Sequence, residues 1–251
     1  MQLVPRAKRT RAKKGSKRIR VIGVGHENPQ ITVTIAITES GGVLPCQLIF
    51  EGKTTASLPC RGKQLPPDGA IFCVSSTHWQ TVATYREFIE RIIIPYRIQI
   101  IQQMNLPSDQ KLLLKHDLHF THTDEATKYF CEKNNIKCLC VPGRCTDELQ
   151  ECDTVINRPF KNGCKDGFVA YLHGIFQNHL TRCQGLGMAE ADIVGSFKPG
   201  LTIGLLKPLL PSFVMSGMAR IKTVPMSETI RHAFAKHGRF EEIRNSRKGE
   251  G

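Results

Sequence analysis

Side chains that can bind a metal ion follow an apolar run in the stretch KLLLKHDLHFTHTDE, residues 111–125. The set contains three imidazoles and three carboxylates, namely His116, His119, His122, Asp117, Asp124 and Glu125. An aspartate at the end of a buried strand is a candidate ligand for a hard divalent cation, because Mg²⁺ prefers carboxylate oxygens. His116 and His119 point to opposite faces of an extended chain, so they reach one ion only if the backbone turns between them.

A second candidate carboxylate, Asp153, lies in the stretch CTDELQECDTVINRPFK, residues 145–161. We interpret this stretch as a loop that follows the short buried strand in IKCLCVPG and leads into a long helix, with Pro159 at the first helical position. Functional side chains of α/β sheets gather where strands end and loops begin. Asp117 and Asp153 are therefore expected to converge and to hold the cations of a two-metal phosphoryl-transfer site.

The elements before this site begin with a predicted antiparallel hairpin. In residues 31–38, Ile and Val alternate with Thr and Ala, which is the two-residue period of a half-buried strand. Residues 39–42 break the pattern, and residues 43–50 supply the second strand. The sequence RIRVIGV at residues 18–24 is a candidate third strand. Residues 54–76 are rich in Pro, Gly, Ser and Thr, and we predict an irregular surface segment there.

Helical periodicity and a short apolar run flank the first motif. Residues 78–104 have a helical pattern, and Pro95 is expected to end or kink that helix. Leu112–Leu114 predicts a central strand covered on both faces. A helix capped by Thr121 or Thr123 is expected to follow, reaching about Asn134.

The long helix after Asp153 has one apolar face in its sequence. That face consists of Phe160, Cys164, Phe168, Leu172, Phe176 and Leu180. Residues 226–240 predict one amphipathic helix whose role is packing. The last eight residues, RNSRKGEG, are predicted to be disordered.

Charge and composition favour a polyanionic partner. The chain of 251 residues has a formal net charge of +13, and a surplus of this kind favours nucleic acid. No apolar run approaches the roughly 18 residues that span a bilayer, so no membrane partner is expected. The ten cysteines are expected to be reduced thiols, because the chain has no secretory signal.

Part of the positive charge is concentrated in residues 6–20, which carry nine Lys or Arg and no acid. Such a run is typical of a nuclear-import signal or of an arm that contacts phosphates. The predicted localisation is therefore the nucleus. The predicted DNA-binding side chains are Lys8, Arg9, Arg11, Lys13, Lys14, Lys17, Arg18 and Arg20.

Both aspartate motifs resemble the catalytic core of the DDE superfamily of transposases, most closely its pogo- and Tigger-like branch. In LLLKHDLHFTHTDE, Asp117 stands in the frame Asp-Leu-His-Phe-Thr-His. In VPGRCTDELQECDTVINRPFK, Asp153 follows Cys-Thr and Leu-Gln and precedes Asn-Arg-Pro-Phe-Lys. The 35 residues between the two aspartates are a gap typical of the superfamily. The resemblance covers roughly residues 1–185 and includes the hairpin.

The resemblance implies a ribonuclease-H-like α/β fold, with a mixed sheet flanked by helices. Asp117 and Asp153 then match the second and third catalytic aspartates, which are ligands of Mg²⁺ or Mn²⁺ in the family. His119 and His122 are expected beside these ligands. DNA is the implied substrate, no organic cofactor is implied, and a homo-oligomer is left open.

The family's first catalytic aspartate ends a strand just upstream of the segment that matches LVPRAKRT, residues 3–10. That strand and its aspartate are predicted to be missing here, because Glu27, Glu39 and Glu51 do not stand at the matching position. With two ligands of three, the metal and the attacking oxygen are poorly held. The predicted function is thus that of a transposase remnant that does not cut DNA. The alternative is a domesticated, non-catalytic DNA-binding or interaction protein.

This interpretation divides the chain into three parts. They are a basic arm at residues 1–20, a ribonuclease-H-like core at residues 21–185, and a partly helical C-terminal extension at residues 186–251.

Four cysteines offer a different metal hypothesis, a zinc site of Cys138, Cys140, Cys145 and Cys152. Their spacing matches no structural zinc motif. Cys138 and Cys140 share one face of a strand and are predicted to be small apolar fillers.

Overall fold

The computed structural model describes residues 30–59, 66–141 and 150–248, with the backbone alone at residues 120, 191 and 238–248. The basic run at residues 6–20, the candidate strand at residues 18–24, Glu27 and Cys145 lie outside the described residues. The predictions made for them stay predictions.

Three strands form a mixed sheet, β1 (Ile31–Thr34), β2 (Gln47–Glu51) and β3 (Ile71–Ser75). β1 pairs antiparallel with β2, which confirms the hairpin. β3 pairs parallel with β2. The prediction of an irregular surface segment at residues 54–76 is therefore wrong at its end. A covered strand needs only about five residues. This apolar run is so short, and so closely flanked by turn-forming residues, that its pattern does not indicate a strand.

Two further strands, β4 (Leu112–His116) and β5 (Ile136–Cys140), pair in parallel. Two helices, α3 (Phe120–Thr123) and α4 (Glu125–Lys133), connect them. The prediction that β4 is covered on both faces is wrong, because Leu113 is 61% exposed while His116 is buried. Among the described residues, β4 pairs with β5 alone, and one face of β4 packs against the core.

The helices after β4 are capped by side chains other than those predicted. Asp124 is the N-cap of α4, and its carboxylate accepts hydrogen bonds from the backbone N–H and the hydroxyl of Thr127. His119 is the N-cap of the short α3. An aspartate is a better N-cap than a threonine, which explains why Thr123 does not take this position.

Two of the long helices contain a widened π-helical turn shortly before a proline. α1 (Val82–Phe88) passes through the π-helical segment Ile89–Ile93 into α2 (Ile94–Met104), so the helix does not end at Pro95. A proline lacks the N–H that an α-turn requires, and a π-turn accommodates this loss.

The second of these turns, Cys152–Ile156, precedes α5 (Asn157–Gly185), in which Pro159 is the third residue. Asp153 therefore lies within helical backbone and not in a loop, which corrects the predicted start of this helix. Pro159 has no N–H to donate to the carbonyl of Val155, four residues earlier, and Val155 lies in the π-helical segment.

Four helices complete the chain, α6 (Glu190–Ser196), α7 (Ile203–Leu206), α8 (Leu210–Ile221) and α9 (Val224–Lys248). α8 packs closely along α5, because a Cβ added to Gly163 would lie 2.8 Å from the Cα of Gly217. α9 confirms the predicted packing helix, since Ile230 and Ala233 are buried. It continues beyond residue 240 to Lys248, and residues 249–251 lie outside the described part.

The core consists of two hydrophobic clusters on opposite faces of β2. Leu48 and Phe50 belong to a cluster with α5, α8 and α9, whereas Ile49 belongs to a cluster with α1, the adjoining π segment, β4 and β5. All three side chains are fully buried. The fold is therefore mixed α/β, with small sheets flanked by helices. No described helix is long and apolar enough to span a bilayer.

Candidate functional site

Asp117 directly follows β4, and its carboxylate contacts a histidine from the next helix. Nδ1 of His122 lies 2.7 Å from Oδ1 of Asp117 and 3.1 Å from the Asp117 carbonyl oxygen. The chain leaves β4 in extended conformation and turns into α3 at His119, which directs His122 back towards Asp117. The Asp117 side chain is 42% exposed, so it is reachable from solvent.

A hydrogen-bond chain connects His122 to the first sheet through Gln80. Nε2 of His122 lies 3.1 Å from Oε1 of Gln80, which also accepts from the Thr121 hydroxyl. The Gln80 amide N–H donates to Oγ1 of Thr34 at the end of β1. With the amide in this orientation, both ring nitrogens of His122 face oxygen acceptors. His122 therefore links the Asp117 carboxylate to the Gln80 amide.

Two imidazoles and a phenol surround this pair. The ring centroid of His122 lies 4.2 Å from that of Tyr85, 4.7 Å from His116 and 5.5 Å from His119. The backbone turn after Asp117 is what brings His116 and His119 to the same ring, although they would diverge on a continuous strand. The predicted neighbours His119 and His122 thus lie close to Asp117.

The surroundings of Asp117 favour its ionised form. The hydrogen bond from His122 holds the pKa of Asp117 below its usual range, against the opposing effect of burial. Burial lowers the pKa of His119, and the nearby charge of His122 lowers it further. Burial also lowers the pKa of His116, but hydrogen bonds to Cys138 and the Asp117 carbonyl outweigh it and raise that pKa. The result is an ionised Asp117 carboxylate in contact with the His122 imidazole.

The stability contributed by the Asp117 contact is expected to disappear in acid. Because the folded-state pKa is lowered, this contribution is present above the unfolded pKa of about 3.9 and is lost as the pH falls through the folded value. We expect the difference in free energy of unfolding between wild type and Asp117→Asn to shrink between pH 5 and pH 2. Urea denaturation across this range measures it. A difference that stayed constant down to pH 2 would contradict the His122 contact.

Asp153 is exposed on the π-helical segment, where the Asn157 side chain donates a hydrogen bond to its Oδ1. Asn157 lies four residues further along the helix, so the helical backbone itself brings this donor to the carboxylate. Asp153 and Asp117 thus have separate partners.

A buried ion pair joins the backbone segments that carry the two aspartates. Nζ of Lys115, two residues before Asp117, donates to Oε1 of Glu151 at 2.9 Å, and Glu151 lies two residues before Asp153. Nδ1 of His237 on α9 lies 3.2 Å from the same oxygen. The Glu151 and His237 side chains are 6% and 4% exposed. This contact brings the end of β4 and the start of the α5 helix together.

The described residues do not form a complete divalent-metal site. Carboxylate oxygens such as those of Asp117 and Asp153 suit Mg²⁺, but one Asp117 oxygen is already in contact with Nδ1 of His122 at 2.7 Å. In the described part of the chain, no group of three or more His, Cys, Asp or Glu side chains can hold a metal ion. Of the four cysteines in the zinc hypothesis, Cys138, Cys140 and Cys152 are described, and they are not part of such a group. Cys145 lies outside the described ranges.

One protein-family model matches more than half of the chain. The family model described as DDE superfamily endonuclease matches residues 28–191, from just before β1 into α6. The chain belongs to this DDE endonuclease family. The pogo- and Tigger-like resemblance is consistent with that assignment. Searches of curated proteins and of solved structures gave no match. DDE endonucleases generally use divalent metals, and the family implies a DNA substrate.

Several polar side chains in and beside this candidate site were not predicted from the sequence. These residues are Gln80, Lys115, Glu151 and His237, and the role of Tyr85 beside His122 was also missed. The one signal available was a lysine inside the apolar run LLLKH, since a charge in a covered strand needs a partner. Its partner Glu151 lies 36 positions away in the chain, so no local pattern identifies it.

Proposed function

We propose that this chain is a DNA-binding derivative of a DDE transposase core that does not cleave or join DNA by itself. The single observation that carries the proposal is that the two motif carboxylates, Asp117 and Asp153, belong to no group of three or more described His, Cys, Asp or Glu side chains that could hold a metal ion. Two-metal phosphoryl transfer requires ligands that hold both ions and align the attacking oxygen. Two acids, one of them occupied by the contact with His122, are insufficient for that task.

The retained function is binding to nucleic acid through positive charge. The net charge of +13 and the family's DNA substrate support it. A ribonuclease-H-like arrangement is part of the proposal. What supports it is a mixed sheet flanked by helices, with Asp117 directly after a strand of a parallel pair. The nuclear localisation and a homo-oligomer stay predictions.

Incubation of the purified full chain with supercoiled DNA and duplex fragments tests the proposal. We expect duplex binding that weakens steeply with salt, because binding to phosphates releases counterions, and no nicking in Mg²⁺ or Mn²⁺. Nicking that is abolished in both Asp117→Ala and Asp153→Ala would overturn the absence of catalysis. Duplex affinity that is negligible at low salt would overturn DNA binding and leave the interaction protein as the alternative.

A further inference from the structure

We propose that Arg158, Lys161 and Lys165 on α5 form a phosphate-binding stripe that holds one DNA strand beside Asp153. The inference rests on the proposed DNA binding and assigns a specific surface to it. The stripe lies on a described helix and is separate from the basic run at residues 6–20.

The three cationic side chains share the solvent-facing side of α5. All three are exposed, and residues spaced by three and four positions lie on one side of a helix. The opposite side is covered by α8, where the buried members are Phe160, Gly163, Cys164 and Phe168. Because that packing fixes the rotation of α5, the stripe is presented to solvent by a rigid element.

Three acids lie close to the stripe along the chain, and each contacts a group other than the stripe cations; the partner of Asp153 is the neutral side chain of Asn157. Asp166 forms an ion pair with Arg220 on α8, and Glu151 is buried against Lys115. Among the described residues, no ion pair involves the three stripe cations. A row of unpaired cations concentrates a positive potential that attracts a polyanion.

The dimensions of the stripe fit a nucleic-acid backbone. Lys165 lies seven positions after Arg158, which is about 10 Å along a helix axis at 1.5 Å per residue. Phosphates of one DNA strand advance about 3.4 Å along the duplex axis per step, so the stripe spans about three steps. Arg158 lies five positions after Asp153 in the same continuous helical backbone, so the stripe begins within about two turns of that carboxylate.

Salt-dependent binding of a triple variant tests the stripe. Arg158→Gln/Lys161→Gln/Lys165→Gln removes three positive charges from α5. The matched control Lys111→Gln/Lys133→Gln/Lys137→Gln removes three charges from exposed positions on other elements. Duplex affinity of the full chain is measured by fluorescence anisotropy from 50 to 200 mM salt, with circular dichroism and thermal melting confirming that both variants fold.

The stripe predicts a change in the slope of log affinity against log salt. Each lost phosphate contact lowers the magnitude of this slope by about 0.9. The slope of the α5 variant is therefore expected to fall in magnitude by about 2 to 3, and that of the control by less than about 1. An equal change in both variants would overturn the stripe, while the proposed DNA binding would still stand. Absence of binding by the wild type would instead refute the proposed function, and the stripe with it.

Discussion

Glu151→Ala is expected to lower the free energy of unfolding by about 3–5 kcal/mol, the range for breaking one partner of a buried ion pair. The substitution leaves the Lys115 ammonium, 16% exposed, without its carboxylate, and removes the contact with His237. The loss is large because a charge taken out of water needs a partner. Urea denaturation at neutral pH measures it.

Two matched variants separate the ion pair from other causes. Glu132→Ala removes an exposed glutamate from α4 and is expected to change stability by less than about 0.5 kcal/mol. Lys115→Met/Glu151→Leu replaces both charges by apolar groups and is expected to recover most of the loss. A Glu151→Ala protein as stable as Glu132→Ala would show that the Lys115 contact does not hold the two segments together.

Phe213→Ala is expected to cost about 3–5 kcal/mol, the range for removing a fully buried aromatic ring. Phe213 lies on α8 and packs edge-on against Phe168 at 5.6 Å between ring centroids, with Tyr171 at 5.8 Å. It belongs to the same hydrophobic cluster as Phe50 of β2. Thermal or urea denaturation followed by circular dichroism measures the effect.

The wider consequence of Phe213→Ala is that α8 and the first sheet lose stability together. Val224→Ala, which trims a side chain that is 74% exposed at the start of α9, is the control and is expected to stay within about 0.5 kcal/mol of wild type. A separate early transition of the C-terminal helices, with the rest of the protein unchanged, would contradict a shared core.

The sequence alone determined those features that a local pattern encodes. The β1–β2 hairpin follows from a two-residue apolar period, and the buried face of α5 from steps of three and four residues. Asp117 and Asp153 were identified because each stands in a short, specific motif, and the same motifs indicated the family. Each of these signals is contained within about 25 neighbouring residues.

Only the tertiary structure decided which polar groups meet around the two aspartates. Glu151 pairs with Lys115 from β4 and His237 from α9, and Gln80 joins His122 to β1. Periodicity reports which face of an element is covered, but it does not report which distant side chain covers it. A buried charge or amide requires a partner, and the fold selects that partner from anywhere in the chain.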